Sequence, residues 1–141
     1  MAEKKIENDT IIRIEFYDVD SMDVAWHGNY VKFMEVARCE ILNKIGYGYS
    51  QMRETGYIFP VVTLKIKYVR SLFFGQKVRI HTTLEEYENR LKLKYEFYDD
   101  ESGKLATKAE SVQMAVRASD KATLFECPAC FTDKVKALLD A

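Results

Sequence analysis

The polar and apolar positions change period along the chain, and each change marks an element. Residues 10–17 alternate, with Ile12, Ile14 and Phe16 set against Arg13 and Glu15, and this period of two predicts a first strand. From Asn29 to Ile45 the period lengthens. Tyr30, Phe33, Met34, Ala37, Ile41 and Ile45 recur at spacings of three and four, the apolar face of a long helix. Val31, Val36, Cys39 and Leu42 lie off that stripe, so this helix is expected to be covered by protein on most sides. Gly46 is placed to stop it, Ser50 to cap a short helix over 51–54, and Gly56 to end that one.

Beyond Gly56 the period returns to two. Val62, Leu64, Ile66 and Tyr68 form one alternating set, Val78, Ile80, Thr82 and Leu84 a second, and Leu91, Leu93, Tyr95 and Phe97 a third. Breaks at Phe74-Gly75, Glu88-Asn89 and Asp99–Gly103 predict an antiparallel meander. The last strand, 105–118, is rich in small residues, and its apolar parity switches near Glu110–Val112, which predicts a bulge or bend there. Thr132 or Asp133 is placed to cap a final helix through Leu139. The order (strand, long helix, four antiparallel strands) predicts an α+β fold in which one curved sheet wraps one helix, because the sheet's apolar face needs a cover and only that helix is apolar enough. The sheet edges stay open, so pairing with a second copy is expected.

Composition narrows the function. At 141 residues and 16.4 kDa the chain is expected to form one domain, 1–141. A net charge of -1 offers no global attraction to nucleic acid or to a membrane surface. The first residues lack the apolar core of a signal peptide, and no apolar run approaches spanning length, which makes the cytoplasm the expected compartment. Cys127-Pro128-Ala129-Cys130 has C-x-x-C spacing, but zinc would need two further ligands and a redox pair would sit early in a βαβ unit, so two reduced thiols in a loop are expected, with no metal.

The chemistry concentrates between the first strand and the long helix. Asp18, Asp20 and Asp23 precede a helix whose first amides lack partners within the helix and whose dipole favours negative charge. A carboxylate beside such amides suits addition of water or another nucleophile to a carbonyl. Capping and turn formation explain the same acids without chemistry. If the segment is extended, Asp18 and Asp20 project to one side. Glu35, three residues before Arg38 on the helix, is the other candidate acid, and His81 falls on the polar side of its strand.

The run Phe16-Tyr17-Asp18-Val19-Asp20-Ser21-Met22-Asp23-Val24-Ala25-Trp26-His27-Gly28-Asn29-Tyr30, continued by Phe33–Arg38 and by Leu42 and Gly46, resembles the signature of hotdog-fold acyl-CoA thioesterases of the 4-hydroxybenzoyl-CoA thioesterase type. The resemblance implies the helix-in-a-curled-sheet fold and the hydrolysis of an acyl-CoA thioester to free acid and coenzyme A. It places the catalytic carboxylate, the second of a D-x-D pair, on Asp20. The amide that polarises the carbonyl falls on His27, and Gly28, Asn29 and Tyr30 match substrate-binding loop and cap positions. Coenzyme A is then part of the substrate and no separate cofactor is implied. The expected assembly is a homodimer or homotetramer with sites at the subunit interface.

Two departures from that pattern stand out. Asp23 occupies a position usually taken by a small residue, often Gly. Ser71 and Gln76 replace a usual Pro and Asp in a strand turn, a change expected to affect only the turn. Arg70, Lys77, Arg79, Arg90 and Lys92 are available for phosphates, and Tyr47, Tyr49, Tyr57 and Phe59 either line an acyl pocket or pack the core. An acyl dehydratase would want a differently placed His base. A non-catalytic acyl-CoA-binding protein of this fold would keep the pocket without needing Asp20.

Overall fold

The computed structural model describes residues 4–141. The first strand, β1, runs Glu7–Arg13 and ends sooner than its alternation predicts. Ile14 is fully buried, but Phe16 is exposed and opens a single 3₁₀ turn, Phe16–Asp18. The backbone therefore turns where an extended segment was expected. Asp18 and Asp20 do not share a strand face.

Helix α1 spans Asn29–Ile45, as the spacing predicts, and ends at Gly46, whose φ of 90° needs the freedom of glycine. All six stripe residues and Leu42 are buried. Burial of a side chain of this size contributes about 1.5–3 kcal/mol, so this face dominates the core. Coverage is one-sided, though: Val31 and Val36 are 46% and 42% exposed. Helix α2, Tyr49–Thr55, is capped by Gly48 rather than Ser50, because the Gln51 side chain reaches back to accept the Gly48 amide at 3.0 Å.

Strand β2, Tyr57–Ile58, precedes β3, Val61–Tyr68, and then come β4, Lys77–Glu86, β5, Leu91–Asp99, and β6, Leu105–Gln113. The five long strands order as β1-β4-β5-β6-β3, so the meander holds for β4 to β6 only. Strand β3 crosses to the opposite edge and pairs antiparallel with β6. Toward β5 the register shift falls at Ala106, with Phe97 opposite Thr107 and Tyr98 opposite Leu105. The bulge thus lies at the start of β6, not at 110–112; the irregularity near Val112 belongs to β3, between Val61 and Thr63. The predicted last strand breaks after Gln113, and β7, Val116–Arg117, leaves to pair with β2. Helix α3, Ala129–Asp140, is capped at Pro128, four to five residues ahead of the expected caps. It drives Phe131 between Tyr47 and Phe59, with ring centroids 5.5 and 5.6 Å away.

Helix α1 packs against β1 and β4. Strand β3 is left bare: seven of its eight residues are exposed, on both faces and along the open edge. No helix among the described residues is long and apolar enough to cross a membrane.

Candidate active site

Backbone hydrogen bonds fold residues 18–26 into a small strap ahead of α1 and anchor it to its neighbour. Trp26 donates to the Asp18 carbonyl at 2.9 Å and Asp20 to the Val24 carbonyl at 2.9 Å. Ala25 donates to Leu72 at 2.7 Å and Phe74 to Asp23 at 3.2 Å, which ties the strap to the segment after β3. That segment is held by Gln76: its Oε1 accepts the Phe73 amide at 2.9 Å and its Nε2 donates to Asp99 at 3.0 Å. Gln76 thus supplies the acceptor that an Asp would, and adds a donor.

The three acids have separate environments. Asp18 is buried beneath the strap. Its Oδ2 accepts the Glu15 amide at 2.8 Å, its Oδ1 pairs with Lys32 Nζ at 2.5 Å, and its carbonyl also accepts Asn29 Nδ2 at 2.7 Å. Asp20 is exposed. Its Oδ1 accepts the amides of Met22 at 2.8 Å and Val24 at 3.3 Å, an Asx turn that holds the carboxylate by one oxygen. Among the described residues, Oδ2 has no hydrogen-bond partner. Asp23 sits at φ 61°, the left-handed region that favours glycine and tolerates Asp. That geometry suits the usual glycine and permits Asp in its place.

Gly28 is in helical conformation, φ −66° and ψ −22°, so its backbone does not demand glycine. Space does: a Cβ there would lie 2.2 Å from Cζ3 of the Trp26 indole, which lies across it. Asn29 donates its amide to the Trp26 carbonyl at 2.9 Å, and Tyr30 donates to the His27 carbonyl at 3.3 Å. The amides of His27 and Gly28 donate to no acceptor among the described residues. The Tyr68 hydroxyl also donates to the His27 carbonyl, at 3.3 Å.

These elements surround an open cavity of about 300 Å³, lined by Asp20, Val24, Ala25, Trp26, His27, Tyr30, Tyr68, Val69, Arg70 and Ser71. Of the residues singled out in the sequence, the structure brings Asp20, His27, Tyr30, Arg70 and Ser71 to one space. Tyr30 is buried at its base, its ring against Tyr68 at 4.9 Å, and burial pushes the phenol above its ordinary range. Gly28 and Asn29 stand behind the lining, one under the indole and one bonded to Asp18. Glu35 is not among the lining residues and is tied to Arg38, whose Nε donates to the Tyr49 hydroxyl at 2.9 Å. Ser71 lines the cavity, so its replacement of Pro reaches beyond the turn. Tyr68 was legible only as a strand position and Val69 only as the start of the strand turn; neither was marked as a site residue, because both arrive from the far edge, at and just after the end of β3.

Tyr49, Tyr57 and Phe59 line a second cavity of about 360 Å³ with Met52, Arg53, Ile58, Pro60 and Ala118. Tyr47 instead packs in the core, its hydroxyl 2.6 Å from Thr55 Oγ1. The cysteines are unpaired; Cys127 lies in the loop before α3 and Cys130 in its first turn. Burial pushes the Cys127 thiol up to about 12, opposite to what thiol redox chemistry needs. Among the described residues no group of three His, Cys, Asp or Glu side chains is placed to hold a metal ion.

Residues 14–137 match the model of the thioesterase-like superfamily. The chain is 33% identical over 106 residues, 74% of its length and 76% of the relative's, to YneP of Bacillus subtilis (strain 168), provisionally named an acyl-CoA thioesterase. Among solved structures it resembles a DHNA-CoA thioesterase from Staphylococcus aureus, with 30% identity, a TM-score of 0.81, and 95% and 93% of the two chains covered. It also shares its fold with a 4-hydroxybenzoyl-CoA thioesterase mutant complexed with 4-hydroxybenzoyl-CoA, at 18% identity, a TM-score of 0.80, and 92% and 98% coverage.

Proposed function

The chain belongs to the thioesterase-like superfamily and is a thioester hydrolase, and from that premise we propose that it cleaves acyl-CoA at the cavity holding Asp20 and His27. The observation that carries this reading is that Asp20, with an exposed carboxylate, and His27, whose amide donates to no acceptor among the described residues, line one 300 Å³ space. The thioester carbonyl oxygen accepts the His27 amide, which gains strength as the oxygen becomes an oxyanion; such donors are typically worth about 3–4 kcal/mol of barrier. With Oδ1 committed to the Met22 and Val24 amides, Oδ2 of Asp20 faces the reaction.

As a general base Asp20 takes a proton from water, whose oxygen adds to the carbonyl carbon. Collapse of the tetrahedral intermediate breaks the C–S bond, and the coenzyme A thiolate takes up the proton. As a nucleophile the same oxygen displaces the thiolate to form an anhydride, which water then opens. Trapping an acylated Asp20 by mass spectrometry selects the second route. Asp20→Asn should abolish hydrolysis with fold and coenzyme A binding retained; full activity in that variant would remove Asp20 from the reaction.

The enzyme works as a homodimer, or as a homotetramer of two such dimers, built on the bare β3 edge. Antiparallel pairing about a two-fold axis sets the start of one β3 against the end of the other. Tyr57–Pro60, at the start, border the aromatic cavity, whereas Tyr68–Ser71, at the end, border the catalytic one. The second copy's Tyr49, Tyr57 and Ile58 then face the acyl group held beside Asp20.

A further inference from the structure

A third cavity, of about 270 Å³, adjoins the catalytic one and shares two residues with it. Its lining is Arg70, Ser71, Phe73, Gln76, Asp99, Ser102, Lys104 and Ala106, and Arg70 and Ser71 line both spaces. A bound molecule can therefore pass from one to the other across a wall made by those two side chains. The wall is held firmly. Ala106, the extra residue of the β6 bulge, turns its carbonyl to accept the amides of both Val69, at 2.9 Å, and Arg70, at 2.8 Å. Bulges commonly re-aim a side chain in this way.

The charges of the second space are unevenly spent. Asp99, its carboxylate, is committed: Oδ1 accepts Gln76 Nε2 at 3.0 Å and Oδ2 accepts the Ser102 amide at 2.8 Å. Lys77 beside it is paired with Asp100 at 3.4 Å. Arg70 and Lys104 are exposed, and neither is in an ion pair among the described residues. Two cations outside any ion pair, sharing this lining with Ser71 and Ser102, outnumber the Asp99 carboxylate that Lys104 faces, and suit a phosphorylated group that enters by way of the catalytic cavity.

We propose that the thiol arm of the substrate leaves the catalytic cavity over Ser71, and that Arg70 and Lys104 bind the phosphates of its coenzyme A end. This rests on the thioesterase reading above. Of the cations that the sequence offers, position selects Arg70 and adds Lys104; Arg79 and Lys92 face the outer side of the sheet. The pair also gives the enzyme a means of preferring coenzyme A esters over uncharged thioesters of the same acyl group.

The test measures kcat/KM for one acyl group carried by coenzyme A, by 4′-phosphopantetheine and by pantetheine, in wild type, Lys104→Gln, Arg70→Gln and the charge reversal Lys104→Glu. The ratio of coenzyme A ester to pantetheine ester should fall about three- to fivefold in each glutamine variant, the size expected of an exposed charge pair, and further in Lys104→Glu. The fall should lie in KM and shrink as salt rises. A loss already present with the phosphopantetheine ester assigns the pair to the phosphate nearest the arm, and a loss confined to the coenzyme A ester assigns it to the nucleotide phosphates. A ratio unchanged in all three variants, with wild type hydrolysing the esters, overturns the phosphate subsite alone. Wild type hydrolysing none of a broad set of esters would overturn the thioesterase reading itself.

Discussion

Replacing Gly28 with alanine should cost activity while leaving stability nearly untouched. At φ −66° and ψ −22° alanine meets no backbone strain, and by narrowing the unfolded ensemble it contributes about 0.4–1 kcal/mol. The new Cβ would stand 2.2 Å from the Trp26 ring, where ordinary contact begins at 3.4 Å, so the indole must retreat by at least about 1.2 Å. Trp26 is 53% exposed and has room to move. Losing roughly a third of its remaining contacts costs about 1 kcal/mol at roughly 25 cal/mol per Å². The two effects offset, and the urea midpoint should barely change.

Activity has no such offset. Trp26 and His27 are adjacent, their rings 5.2 Å apart, and both line the cavity that His27's amide is proposed to serve. A displacement near 1 Å in a positioning element can cost about a hundredfold, so kcat should fall by about ten- to a hundredfold. Thiol release from an acyl-CoA, followed at saturating substrate, reads kcat directly. In a Trp26→Ala background the same glycine change should have almost no effect, because the clash is gone. An unchanged kcat in Gly28→Ala, or an equal loss in the Trp26→Ala background, would refute the argument that the indole packed on Gly28 sets the geometry of the helix end.

Asp23→Gly should raise stability by about 0.5–1 kcal/mol in urea unfolding, since φ 61° strains any side chain, while Asp23→Val should lower it by more. His81 bridges β4 to β1: burial opposes its charged form, but hydrogen bonds to Asp9 at 2.7 Å and Glu7 at 3.2 Å outweigh this and raise its pKa. A raised folded value means the stabilisation is complete below the unfolded pKa of about 6.5 and is lost as pH climbs through the folded value. Unfolding midpoints of wild type should therefore drop by a contribution under about 1 kcal/mol between pH 6 and 9, a slope that His81→Gln removes. On the bare strand, Leu64→Glu places a charge in the proposed dimer seam, so sedimentation should show a monomer with much reduced hydrolysis. A dimer retained in that variant places the seam elsewhere.

Local chemistry was enough to read the elements whose partners lie nearby in sequence. The stripe from Tyr30 to Ile45 carries its own period and its own glycine stop, so helix α1 falls where the spacing puts it. The alternation of β4 and β5 is equally self-contained, because each strand buries one face against the helix it covers. Asp20 and His27 were singled out by the resemblance, and they line one cavity because only seven positions separate them, across the strap. Residues 14–16 failed for the opposite reason. Phe16 has the right parity for a strand, yet no strand is there to pair with it, and Asp18 is pulled down into a 3₁₀ turn by Glu15 and Lys32.

Topology decided the rest. Periodicity marks β3 as a strand but not as an edge, and only the crossover that seats it beside β6 leaves it bare and carries Tyr68, Arg70 and Ser71 to the cavity. The role of Ser71, read in the sequence as a turn, follows from that placement. The bulge likewise moved to Ala106, whose carbonyl accepts two amides from the segment just after β3. Sequence by itself determined what each segment is, because propensity and period act over a few residues. Which segments share a wall of the site was decided only in three dimensions, since pairing of distant strands is a property of the closed sheet and not of any stretch within it.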